Sequence, residues 1–170
     1  MALIEARDIT PEDALAALTR RLANPVQSFS WQDIEREMHA RSFTVAKSAG
    51  YDILDDIGEA MHKAVAGGET VESFKKKLTP ILQDAGWWGR SEEVDPLTGE
   101  TVDVQLGSAR RLETIFDTNM RTSYAAGRYL SIERNKQSQP YMRYVAVQDD
   151  RTRPLHRAWD GTTLPVDDPW

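Results

Sequence analysis

Cysteine is absent from this 170-residue chain, and its absence excludes disulfides and thiolate metal sites. Long apolar runs are missing too. No stretch approaches the roughly 20 residues that cross a bilayer as a helix. The N-terminus has no signal-peptide core, which predicts a chain that starts in a cytoplasm. There is no glycine-rich phosphate loop, no serine elbow and no His-Glu zinc helix. Histidine is scarce, with three residues, and His39 and His62 sit in helical patterns that recruit no further chemistry.

What remains is ordinary for a soluble protein: 40% hydrophobic and 28% charged residues. The length suits one domain, or one domain with an appended lobe. It suffices to bury about two-thirds of the surface the unfolded chain exposes. A net charge of −6 argues against general binding to duplex DNA. The charge is uneven, however. Between Arg121 and Arg157 eight Lys/Arg face three acids, an excess of five, so the other residues carry −11. An acidic body with a basic segment suits docking against an acidic neighbour, protein or nucleic acid.

Read in order, Thr10-Pro11-Glu12-Asp13 opens a helix with Leu15, Leu18 and Leu22 on one face, stopped by Asn24-Pro25. Ser30, with Asp33 three residues on, predicts a second helix with Trp31, Ile34 and Met38 buried. Its period continues through Phe43-Thr44-Val45-Ala46-Lys47 to a break at Gly50. A third helix, from Tyr51 or Asp52 to Val65, carries Ile53, Leu54, Ile57, Met61 and Val65 and ends at Gly67-Gly68. Thr70 caps a fourth, which holds Phe74, Leu78, Ile81 and Leu82, with Lys75-Lys76-Lys77 read as a wet face and Pro80 tolerated. Gly86-Trp87-Trp88-Gly89 is a turn, and Glu93 to Val102 has hairpin chemistry around Pro96 and Gly99. Arg110 to about Gln137 is the longest helix, striped by Leu112, Ile115, Phe116, Met120, Tyr124 and Leu130. Gly127 inside it marks a close approach of another backbone.

The stretch from Pro140 to Trp170 holds most of the chemically versatile side chains. Tyr141 to Val147 reads as a β-rich run that Asp149-Asp150 ends. Thr152 is placed to cap a short helix with Pro154 in its first turn, and Gly161 to supply a left-handed stop after Asp160. The structural reading makes Asp149, Asp150, Arg151, Thr152, Arg153, His156, Asp160 and Gly161 a charged, rigid corner on which a partner docks. The catalytic alternative is a metal-dependent hydrolase or nuclease with His156 as base or ligand beside these aspartates. Asp150, His156 and Asp160 are the residues nearest to a metal set. A third reading has Arg121, Arg128, Arg134 and Arg143 touching a partner or DNA.

Several landmarks occur together and in order: Phe43 to Lys47, Gly86 to Gly89, Thr114 to Arg121, Ala125-Ala126-Gly127-Arg128, Thr152 to Arg157, Asp160-Gly161 and Asp167-Asp168-Pro169-Trp170. In these the chain resembles the phage Mu protein F-like family of minor head, or head morphogenesis, proteins. The resemblance implies a low-copy virion component of the head, assembled in the bacterial cytoplasm. It implies a place near the portal, with portal and other head proteins as partners, and a role in head assembly, genome packaging or delivery. Members of that family continue past Asp-Asp-Pro-Trp into a Cys-containing tail, so a chain stopping at Trp170 reads as a fragment or processed form. The resemblance also implies, in some relatives, Cys near the positions of Arg153 and His156 that would form a metal site with that tail; this chain has Arg and His there and no Cys.

The expectation is a mainly α, α+β protein without catalysis, cofactor, membrane contact or small-molecule substrate. Its parts are a helical lobe over 1–86, a hairpin-like arm over 87–109, and over 110–170 a long helix with a strand–turn–helix cap.

Overall fold

The computed structural model describes residues 11–34, 38, 41–48 and 51–168. Thr10, His39, Gly50 and Trp170 lie outside the described residues. Those described fall into two compact units, divided between Gly127 and Arg128.

The first unit begins with α1 (Pro11–Leu22), α2 (Tyr51–Gly67) and α3 (Val71–Asp84). The hairpin β1 (Arg90–Val94) and β2 (Thr101–Gln105) follows, then α4 (Ala109–Asn135), whose last turns belong to the second unit. In α1, Glu12 and Asp13 open the helix and Arg20 and Arg21 close it, each sign opposite the partial charge of its helix end. The hydroxyl of Thr70 accepts from the Ser73 amide at 3.3 Å and caps α3, which continues through Pro80 to Asp84. Lys75 and Lys77 pair with Glu72 and Glu69, which accounts for the basic run as a solvated face. The sheet register pairs Arg90 with Gln105 and Val94 with Thr101.

These elements meet in one apolar cluster. Ala14 and Leu18 come from α1; Ile53, Leu54, Ile57, Met61 and Val65 from α2; Phe74, Leu78 and Leu82 from α3; Leu112, Ile115 and Phe116 from α4. Each fully buried Leu, Ile or Phe contributes about 1.5–3 kcal/mol by leaving water. Trp87 is buried within the cluster, and its ring N–H donates to the Lys47 carbonyl at 2.6 Å. The architecture is thus mainly helical with small sheets, the α+β class that the periodicities predict. Among the described residues no helix is long and apolar enough to cross a membrane.

The expected second helix forms only in part: Met38 and Arg41 are helical, but Trp31–Asp33 and residues 43–47 are not α-helix. After Ser30 the chain makes a single 3-10 turn, Trp31–Asp33, with the Asp33 carboxylate accepting from the Ser30 amide at 2.6 Å, and Ile34 is already extended. Phe43 and Ala46 form parallel bridges to Pro25 and Ser28. The amide of Val26 donates to the Phe43 carbonyl at 3.0 Å and that of Lys47 to the Ser28 carbonyl at 2.7 Å. Those partners, with the β-branched Thr44 and Val45, outweigh the helical period. Phe43 and Val45 enter the core and Ile34 is buried, but Met38 is 43% exposed, against its expected burial. Ile81 of α3 likewise faces out.

Gly127 closes the first unit. A Cβ there would lie 2.7 Å from the Ala14 amide nitrogen and 2.9 Å from the Asp13 carbonyl carbon, so α1 and α4 cross with backbone against backbone.

Candidate functional site

The second unit is a small antiparallel ribbon closed by a short helix. β3 (Tyr141–Arg143) pairs with β4 (Thr163–Pro165), Met142 opposite Leu164 and Arg143 opposite Thr163. The ladder runs on beyond both strands: the Tyr144 amide donates to the Thr162 carbonyl at 2.8 Å, and the Gly161 amide to the Tyr144 carbonyl at 2.9 Å. Of the predicted β-rich run, regular strand therefore covers Tyr141 to Arg143. Past Tyr144 the last backbone donor is met by a side chain, the Asp160 carboxylate accepting from the Ala146 amide at 2.9 Å.

The charged corner is built mainly from hydrogen bonds to backbone. One carboxylate oxygen of Asp149 accepts from the Arg151 amide at 3.0 Å and from the Thr152 hydroxyl at 2.9 Å. That hydroxyl in turn accepts from the Asp149 amide at 3.1 Å. Thr152 thus closes the turn onto Asp149 and does not cap the helix. The N-cap of α5 (Pro154–Trp159) is Arg153, without a side-chain cap bond, because the hydroxyl expected to cap is already engaged. Pro154 occupies the first turn as expected. Arg157 donates to the Asp149 carbonyl at 3.1 Å and ties α5 back to the corner.

Ion pairing is thin here. Arg151 reaches Asp149 at 3.8 Å with 94% of its side chain in solvent, a geometry worth little. Asp150 and Arg153 are exposed. Gly161 takes φ +81, the left-handed conformation that returns the chain into β4.

His156 Nδ1 lies 2.6 Å from the Tyr144 hydroxyl, and its ring packs 5.9 Å from that of Trp159. Tyr144 and Trp159 meet edge to face at 6.0 Å. The sequence reading sends His156 toward the aspartates and passes over Tyr144 and Trp159. The signal for Tyr144 lay in the alternation Met142, Tyr144, Ala146, which puts all three on one ribbon face. Among the described residues no group of three or more His, Asp or Glu side chains converges as a metal set, so Asp150, His156 and Asp160 are not gathered into one.

The basic residues named from sequence divide between the units. Arg121 belongs to the first, 84% exposed and 3.9 Å from Asp117; Arg128, Arg134 and Arg143 belong to the second and are exposed.

The family model described as Phage Mu protein F like protein matches residues 55–170. This chain belongs to the phage Mu protein F-like family. It is 40% identical over 166 residues to the putative capsid assembly protein F of Escherichia phage Mu, covering 98% of this chain and 37% of that protein. To the Mu-like prophage FluMu F protein of Haemophilus influenzae it is 44% identical over 142 residues, 84% of this chain and 33% of that protein. The chain therefore spans about a third of the length of these Mu F-like relatives. No solved structure matches it.

Proposed function

We propose that this Mu F-like chain is part of a minor head protein of a tailed phage or prophage. It is a low-copy virion component near the portal, acting in head assembly and in packaging or delivery of the genome. The observation that supports this reading most is identity running through 98% of the chain to a protein named for capsid assembly.

The second unit supports a docking role for its end of the chain. Tyr141, Val145, Val147, Leu155 and Trp159 stand exposed, while the turn at Asp149–Thr152 is held by hydrogen bonds between side chains and backbone. Apolar side chains on a braced scaffold present a surface at little ordering cost, which favours association with head proteins.

Mass spectrometry of purified particles tests residence, and co-purification with the portal ring tests position. Peptides from this chain in mature heads, in low ratio to the major capsid protein, are expected. Absence from particles, with normal heads formed by a deletion mutant, would refute the assignment. Salt-sensitive retardation of DNA that is lost on substituting Arg121 and Arg128 would move the reading to a DNA-contacting virion protein.

A further inference from the structure

The β1–β2 hairpin is a sheet of two strands, so β1 is paired along one side alone. The Leu106 amide donates to the Gly89 carbonyl and the Asp95 amide to the Glu100 carbonyl, both at 2.8 Å. These two bonds bracket the ladder and fix its phase. Ser91 and Glu93 turn their backbone groups toward β2, whereas Glu92 and Val94 turn theirs away. Among the described residues no backbone group from outside the hairpin meets Glu92 or Val94. An open edge of this kind is a template for one more strand.

A cavity of about 350 Å³ adjoins the end of β1, bordered by Glu93 and Val94 on the hairpin and by Ser28, Phe29, Lys47 and Ser48 on the bridged segments. The hydroxyls of Ser28 and Ser48 are buried, and neither has a hydrogen-bond partner. Ser48 is 7% exposed. Buried polar groups are nearly always paired, so two orphans on one lining mark a place for a polar guest. Lys47 and Glu93 give that lining one charge of each sign, which favours a neutral guest there. Along the hairpin itself charge is one-sided: Arg90 stands against Glu92, Glu93, Asp95, Glu100 and Asp103. Arg90 is taken by Asp103, and among the described residues no cation pairs with Glu92, Glu93 or Glu100.

We propose that the open edge of β1 takes up an extended, basic segment of a partner protein as a third strand, with one neutral hydrogen-bonding side chain seated in the cavity against Ser28 and Ser48. Backbone pairing supplies affinity, and the uncompensated acids select a cationic sequence. The inference concerns binding by the isolated chain and does not depend on virion residence.

The test uses the full chain and a fluorescein-labelled decapeptide in which Thr and Lys alternate around a central Gln. Three altered peptides carry Glu for Lys, Leu for the central Gln, or methyl groups on two adjacent central backbone nitrogens. Saturable binding of the parent peptide is expected, with the Glu and methylated peptides at least about tenfold weaker and the Leu peptide about threefold weaker. Amide shifts on titration should be largest at Glu92 and Val94. Val94→Pro deletes an edge donor that the ladder does not use, so it should abolish binding while amide exchange at Ser91 and Glu93 stays unchanged. Glu92→Gln should weaken binding of the parent peptide with thermal unfolding unchanged, and Ser48→Ala should bring the Gln and Leu peptides level. Parent affinity in any of the three altered peptides, shifts centred elsewhere, or no saturable binding at millimolar peptide would each overturn the proposal.

Discussion

The guanidinium of Arg111 lies 4.7 Å from the ring centroid of Trp87, over the bulkiest of the fully buried side chains among the described residues. From there it donates to the carbonyls of Ala46, Gln105 and Leu106, the last at 2.8 Å. One side chain thus joins the bridged segment, the base of the hairpin and the start of α4. Burial draws its pKa below the ordinary arginine value; it stays protonated and satisfied by carbonyls.

Arg111→Ala should therefore cost about 3 kcal/mol, since it strands several acceptors and removes a stacked cation. Arg111→Lys restores charge without the planar fork and should recover less than half of that loss. Urea unfolding of the three proteins measures both. A cost below about 0.5 kcal/mol for the alanine variant would mean the junction holds without Arg111.

Gly127→Ala poses helix propensity against packing. Alanine in mid-helix is favoured by about 1 kcal/mol over glycine, but its methyl would collide with the α1 backbone at Asp13 and Ala14. Backbone cannot yield as a flexible side chain does, so net destabilisation of about 1–3 kcal/mol is expected. A rise in unfolding midpoint would show that the two helices are not in close approach.

At the corner, charge and hydrogen bonding can be separated. Asp149→Asn keeps a carbonyl oxygen for the Arg151 amide and the Thr152 hydroxyl, whereas Asp149→Ala keeps none. The alanine variant should speed amide exchange at Arg151 and Thr152 about fivefold or more; the asparagine variant should barely change it. Comparable acceleration by both would assign the turn to charge.

Glu69 carries a titration signature. Hydrogen bonding to Lys77 at 2.7 Å holds its carboxyl below the ordinary value, against opposing desolvation, with Ser73 assisting at 3.1 Å. A depressed folded-state pKa contributes stability above the unfolded value, near 4.3, and that contribution is lost as pH falls through the folded one. Glu69→Gln should lower the unfolding midpoint slightly at pH 7. The gap from the parent should close on acidification below about pH 4. A gap that is constant with pH would rule out the linkage.

Sequence alone determined α2, α3, α4 and the β1–β2 hairpin, because their signals are local. Thr70 caps from one residue away, apolar positions recur every turn, and Pro96 and Gly99 shape the hairpin turn. It also carried the family resemblance, through short motifs in order along the chain. Tertiary structure decided residues 43–47, where partners at 24–28 replaced a helical period with parallel bridges. It decided as well that Thr152 serves Asp149, and that Tyr144, His156 and Trp159 pack together. Those outcomes depend on which polar group reaches which partner first when the ribbon closes, and residues a dozen apart bear no local mark of that competition.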